Sequence, residues 1–228
     1  MAERSVLITG GTGGLGIAVV AAFVADGWRA VVPAREAPVG AGRDDVELVS
    51  ADLSDPGAVG EVVALASGDD GAPLEAVVNL VGGYAAGGRV HETPYDEFDQ
   101  QFALNLRPTY LVCQAALPAL VDRGGGAIVC TSSRAALQPF AGAAGYIASK
   151  AAVLAFVGAL DAEYRDRGVR TNAILPSVID TPANRASMPD ADHSRWVAPA
   201  EIAAVIRFLC SADSAPISGA SVPVYGRA

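Results

Sequence analysis

Short apolar runs alternate with longer stretches of helical periodicity from one end of the chain to the other. Ser5 to Thr9 reads as a strand and Gly14 to Asp26 as a helix closed by Gly27. Trp28 to Val32 is the next strand. A segment punctuated by Pro38, Gly40 and Gly42, too broken for a regular helix, leads to a strand over Val46 to Val49. Pro56 sits in the first turn of a helix running to Ser67, with Ser54 or Asp55 as its cap, and Leu74 to Asn79 follows as a buried strand. Thr93 before Pro94 opens one long helical stretch to about Asp122. Ala127 to Cys130 is a fifth strand, Tyr146 to Asp166 a strongly apolar helix and Arg170 to Leu175 a sixth strand. An irregular loop to Pro199, a helix over Ala200 to Cys210 and a strand around Ala220 to Val224 complete the pattern. Strands that are apolar throughout, rather than alternating, are covered on both faces. The pattern therefore predicts an α/β fold, a doubly wound sheet of seven mainly parallel strands with helices on both sides, as a single domain over residues 1–228.

Composition narrows what such a domain meets. The chain is 51% hydrophobic and 18% charged, far from a disordered composition. Its net charge of −9 repels phosphate backbones and anionic lipid, so neither nucleic acid nor a membrane surface is an expected partner. No apolar stretch resembles a signal peptide, and no run approaches the roughly 18 residues of a membrane span. Cys113, Cys130 and Cys210 are odd in number and widely spaced, as expected for buried reduced thiols in a cytoplasmic protein, and no metal-ligand spacing is present around them or around His91 and His193. Fifteen of the sixteen basic residues are Arg; the only Lys is Lys150.

Between the first strand and the first helix lies Thr9-Gly10-Gly11-Thr12-Gly13-Gly14-Leu15-Gly16. Backbone N–H groups at a helix start hold a pyrophosphate, and glycines let the backbone approach it. The loop satisfies three glycine fingerprints at once, so its position is more informative than its pattern: it predicts a dinucleotide site. At the end of the second strand, where NAD sites place a carboxylate for the ribose 2′-OH, stand Ala34 and Arg35. A guanidinium pairs with a 2′-phosphate, so NADP(H) is favoured over NAD(H), with Glu36 as the countervailing charge.

Tyr146 and Lys150, four residues apart at a helix start, share a face. A cation about 4 Å from a phenol contributes on the order of 4 kcal/mol, roughly three pKa units, which brings a tyrosine from about 10 to near 7 and suits acid–base chemistry. Ser133 stands 13 residues before Tyr146, beyond the fifth strand.

Taken together, Thr9-Gly-x-x-x-Gly14-x-Gly16, Asp52-Leu53, Asn79-Leu-Val-Gly82, Asn105, Ser133, Tyr146-x-x-x-Lys150 and Pro176-Ser-Val-Ile-Asp-Thr181 resemble the short-chain dehydrogenase/reductase family over nearly the whole chain. The resemblance implies a Rossmann-type fold and a hydride transfer between NAD(P)(H) and a ketone or secondary alcohol. It implies Tyr146 as general acid or base, Ser133 as the group polarising the carbonyl, Lys150 as the cation that lowers the Tyr146 pKa and holds the ribose, and Asn105 as the anchor of a water chain. Gly10, Thr12, Gly13, Gly14, Leu15 and Gly16 would cradle the pyrophosphate, with Arg35 at the adenosine ribose. Asp52 and Leu53 would meet the adenine, Asn79, Val81 and Gly82 the ribose side, and Ile179 with Thr181 the carboxamide. A homotetramer, or a homodimer, built on the two long helices is also implied. The family's second Asn is replaced by Leu80, its Pro-Gly by Pro176-Ser177, and its C-terminal glycines by Tyr225-Gly226.

Tyr84, Phe140 and Trp196 fall in loops expected around the substrate and suggest an apolar or aromatic ketone, whereas Arg134 suits an anionic one. Two other readings compete. A non-catalytic NAD(P)-binding regulatory protein keeps this fold without turnover. A sugar-nucleotide epimerase needs a larger substrate domain after the sheet, for which the sequence leaves no room.

Overall fold

In the computed structural model, which describes residues 2–36 and 45–227, strands β1 (Ser5–Thr9), β2 (Arg29–Ala34), β3 (Val46–Ser50), β4 (Leu74–Asn79), β5 (Gly126–Thr131), β6 (Val169–Pro176) and β7 (Ser221–Val224) form one sheet. Its order is β3-β2-β1-β4-β5-β6-β7, and every pairing is parallel. The broken segment expected around Pro38, Gly40 and Gly42 lies outside the described residues.

Successive strand residues serve opposite faces. Leu7, Val31, Val77, Ile128 and Leu175 form one core with helices α2 (Pro56–Ser67), α4 (Arg107–Asp122) and α5 (Ala144–Tyr164). Val6, Ile8, Val32, Val78 and Ile174 form the other with α1 (Gly16–Ala25) and α7 (Pro199–Cys210). Both faces are sealed, which is why the strands read as unbroken apolar runs. Asp55 caps α2, its Oδ1 accepting from the Gly57 N–H at 3.0 Å.

Three expectations change. The single helix expected up to Asp122 is two, α3 (Tyr95–Asn105) and α4, meeting at Leu106. Pro108 has no N–H to give the Leu104 carbonyl, so the helical ladder is interrupted there. The loop before α7 holds a short helix, α6 (Pro182–Ser187), capped by the Thr181 hydroxyl. Finally, the helical stretch Ala144–Arg167 is long and apolar enough to span a membrane by length and composition, contrary to the expected absence of any such run. In the fold it is a core helix that buries Lys150, Val153, Val157 and Leu160 against the sheet.

The strand order reverses at β1/β4. Ligands of doubly wound sheets bind outside the carboxyl ends of the strands at such a switch. The glycine loop follows β1, the Leu80–Gly83 turn follows β4, and Ser133 follows β5, so the topology gathers them at one crevice.

Candidate active site

The glycine loop is built to bring backbone forward. Gly10 has a positive φ of +68°, and an added Cβ there would lie 3.1 Å from the Val81 nitrogen. Gly16 packs on the Gly10 carbonyl and the Gly11 backbone, with no space for a side chain. Thr12, Gly13 and Gly14 are exposed, and Leu15 at the start of α1 provides no side-chain cap. An uncapped helix start behind exposed glycines leaves N–H donors for an anion. The Thr9 hydroxyl accepts from the Leu80 and Val81 N–H groups at 3.1 and 3.3 Å, joining the loop after β4 to the end of β1.

Lys150 is 5% exposed, and its Nζ donates to the Thr131 carbonyl at 3.0 Å. Burial brings its pKa down to about 8. Asn105, 1% exposed, accepts from the Gly83 N–H at 3.0 Å and donates to the Ser149 hydroxyl at 3.1 Å; that hydroxyl donates in turn to the Tyr146 carbonyl at 2.8 Å. The Ser132 hydroxyl ties down the Lys150 carbonyl at 2.8 Å. An added Cβ on Gly82 would lie 2.6 Å from Asn105 Oδ1 and 3.0 Å from Lys150 Nζ, so this glycine admits both polar groups to the crevice.

Tyr146 is half-buried, and burial raises its pKa above 10, with its hydrogen bond to the Ser133 hydroxyl pulling the other way. The expected depression towards 7 is not found. Lys150 Nζ stands 6.0 Å from the phenol ring centroid and is occupied by the Thr131 carbonyl, too far and too engaged to offset desolvation. Ser133 also accepts from the Ala135 N–H at 3.2 Å, which fixes the start of the turn after β5.

The other expected cofactor contacts divide. Thr181 stands over the glycine loop, its Cγ2 2.9 Å from where a Gly14 Cβ would be, and Ile179 bridges to Val197 just before it. Arg35 is exposed at the end of β2, and its charge helps to hold the Asp52 carboxyl low, after the two bonds from Ser54. Leu53 is buried beside it. The Asn79 side chain, by contrast, turns into the core, its Nδ2 on the Cys113 and Cys130 thiols at 3.3 and 3.7 Å. It is 2% exposed, so only its backbone and that of Leu80, Val81 and Gly82 can face a ribose.

The short chain dehydrogenase family profile matches residues 4–192. The chain belongs to the short-chain dehydrogenase family. It is similar to 2-(R)-hydroxypropyl-CoM dehydrogenase of Xanthobacter autotrophicus, 30% identical over 98% of each chain. It is also similar to D-threitol dehydrogenase of Mycolicibacterium smegmatis, 31% identical over 96% of this chain and 90% of that one. A solved short-chain type dehydrogenase/reductase from Mycobacterium ulcerans superposes with a TM-score of 0.91 at 25% identity, covering 100% of this chain and 90% of the other. The protein is an oxidoreductase of a family that binds NAD(P)(H).

Around the reacting end of this short-chain dehydrogenase, the loops depart from the sequence expectation. Tyr84 meets Tyr146 edge-on, ring centroids 5.0 Å apart, and is 63% exposed. Phe140 is 49% exposed. Trp196 is half-buried with His193 against it, centroids 4.3 Å apart, so its face is already taken. Arg134 lies over the Tyr225 ring at 5.7 Å, and Ser177 gives its hydroxyl to the Tyr225 carbonyl at 2.6 Å. Ser149, which bridges Asn105 to the Tyr146 carbonyl, was not singled out by residue type; its only sequence signal is adjacency to Lys150.

Proposed function

We propose that the protein transfers a hydride between NADP(H) and a ketone or secondary alcohol, with Tyr146 as general acid and base and Ser133 and Lys150 beside it. The observation that carries this reading is the Ser133 hydroxyl just beyond β5, near enough to the Tyr146 phenol to counter part of its burial, with the sole lysine buried one helical turn away. The bound cofactor would supply or accept the hydride. At neutral pH the phenol is protonated, which suits donation to a carbonyl oxygen as it gains negative charge, while Ser133 donates a hydrogen bond to the same oxygen. Lys150 at about 8 is mainly an ammonium at pH 7, fit to hold ribose hydroxyls. Asn105 and Ser149 fix the backbone carbonyl of Tyr146 and so orient the phenol's helix turn.

The exposed glycines, with Thr181 above Gly14, fit a pyrophosphate and a carboxamide held side by side in one crevice. Arg35 at the tip of β2 supports NADP(H) over NAD(H). The two relatives are named for dehydrogenation of a hydroxypropyl compound and of a polyol, which supports an alcohol or its ketone as substrate. Free, buried thiols at Cys113, Cys130 and Cys210 support a reducing, cytoplasmic setting.

Tyr146→Phe tests the assignment. The expected result is a fall in kcat of about 10²- to 10⁴-fold with a ketone panel, with cofactor binding retained. Unchanged turnover would remove Tyr146 from the chemistry; absence of turnover in the parent with every ketone and alcohol tried, despite cofactor binding, would favour the regulatory reading. For the cofactor, Arg35→Asp should lower kcat/KM with NADPH by at least about tenfold and raise it with NADH. A parent enzyme that prefers NADH would overturn the choice.

A further inference from the structure

Tyr84 is 63% exposed, and among the described residues its ring has one aromatic neighbour, Tyr146. The two rings meet with centroids 5.0 Å apart and planes at 86°, the arrangement in which the positive rim of one ring rests on the negative face of the other. A ring left this open adds little to the core, so what its position achieves is the contact with the phenol that the proposed reaction uses.

The backbone of Tyr84 is held on both sides. The Gly83 N–H, one residue before it, is taken by Asn105 Oδ1 at 3.0 Å, and the Gly87 N–H, three residues after it, donates to the Gly142 carbonyl at 2.8 Å. Gly142 has a φ of +84°, and a Cβ on it would lie 2.8 Å from the Gly87 carbonyl oxygen, so the two segments close directly on each other. The same Asn105 amide reaches the other tyrosine: its Nδ2 donates to the Ser149 hydroxyl at 3.1 Å, which donates to the Tyr146 carbonyl at 2.8 Å. One buried side chain thus steadies the backbone under both rings. The phenol oxygen, however, stands at the far end of its side chain, where a small swing about the first torsion displaces it most. Backbone anchors do not stop that swing; a ring lying against the side does. The same contact keeps water from part of the Tyr146 ring, and burial is the main reason that its pKa stands above the ordinary value. The titratable groups facing Tyr146 are Tyr84, from the chain after β4, and Lys150 on its own helix, with Nζ 6.0 Å from the ring centroid; the turn after β5 brings only the Ser133 hydroxyl.

We propose that Tyr84 is a positioning residue for Tyr146, its ring holding the phenol in place for proton transfer and shielding it from water, a role that rests on the reading of Tyr146 as the general acid.

The test uses Tyr84→Ala and, as the variant that keeps the ring, Tyr84→Phe, in the full chain with whichever of NADPH and NADH the parent prefers. Tyr84→Ala should lower kcat by at least about fivefold on the ketone panel with KM changed by less than about twofold, and Tyr84→Phe should recover most of that loss. A smaller fall in kcat, a rise in KM with kcat retained, which makes Tyr84 a substrate contact, or a loss that Tyr84→Phe shares in full overturns the proposal. NMR of protein isotope-labelled at the tyrosine Cζ reads the contact without turnover, the Tyr146 signal being assigned by its absence in Tyr146→Phe. At about pH 10, where an ordinary tyrosine is half ionised, Tyr146 should stay mainly protonated in the parent and in Tyr84→Phe and be about half ionised in Tyr84→Ala. A merely structural role of Tyr84 would lower the melting temperature and leave this titration unmoved, and an unmoved titration overturns the proposal. A titration that falls as expected, in a protein that reduces none of the ketones, sustains the ring contact and overturns the redox reading instead.

Discussion

Lys150 carries a charge into a place where, among the described residues, no carboxylate pairs with it. Its ammonium meets a backbone carbonyl, Thr131, and burial brings its pKa from 10.5 to about 8. The folded chain therefore binds fewer protons than the unfolded chain between about pH 8 and 10.5. Stability rises with pH across that window, and below it the desolvation penalty is present in full. Lys150→Met should accordingly abolish turnover yet stabilise the unliganded protein at pH 7, by about 2 kcal/mol after the lost Thr131 bond is subtracted. A melting temperature raised by several degrees at pH 7, with the gain shrinking above pH 8, checks this; a Tm lowered at pH 7 contradicts it. At this scale the sequence was legible where residue type limits the chemistry: a lone ammonium four residues from a phenol, with Ser133 upstream. Partners were not legible. Nothing in the identity of Ser149 announces that it bridges Asn105 to Tyr146, and the side chain of Asn79 spends its amide on two thiols in the core.

The elements were read well because they depend on near neighbours in the chain. β1, α2 and β4 fall at the expected residues, and the helix start at Pro56 follows from a cap and a proline that act within one turn. The break between α3 and α4 was legible in principle, since Pro108 signals it, but continuous apolar periodicity masked it. The elements also set the tolerances of the crevice, and Gly82 is the sharpest case. A methyl group at this position meets Asn105 Oδ1 at 2.6 Å and Lys150 Nζ at 3.0 Å, and neither can retreat: the first is held by Gly83 and Ser149, the second by Thr131. Gly82→Ala should lower kcat by about 10- to 100-fold and cost roughly 1–2 kcal/mol of stability. Gly83→Ala, whose Cβ would meet only the Leu104 side chain at 3.3 Å, should cost much less. Equal effects of the two, measured by steady-state kinetics and thermal melts, would mean that the crowding at Gly82 is relieved elsewhere.

At the scale of the whole molecule, the last residues are tied back to the middle of the chain. Asp161 in α5 holds both Arg165 and the Ser218 hydroxyl before β7, and Ser177 holds the Tyr225 carbonyl after it, so β7 is pinned at both ends, the second of them at the carboxyl end of the sheet. The outer faces of α3, α4 and α5 remain partly uncovered, with Phe98 against Phe102 and Tyr110 against Phe156, and Tyr110 is 46% exposed. Aromatic pairs left at a surface suit an interface between copies, which supports the proposed homotetramer or homodimer. Sedimentation equilibrium should return a multiple of the 23.1 kDa chain mass, and Tyr110→Glu should shift it towards monomer; a parent that sediments only as 23.1 kDa would refute the assembly.

By itself, the sequence determined the succession of strands and helices, the glycine loop's place between the first of each, and the pairing of Tyr146 with Lys150, because local periodicity and short-range sterics decide these within a few residues. Only the tertiary structure decided the reversal of strand order at β1/β4 that opens the crevice, the direction of the Tyr146 pKa and the seating of Tyr84 against Tyr146. Those depend on what residues distant in sequence bring to one point: desolvation, a hydrogen bond made or absent, a ring set against another.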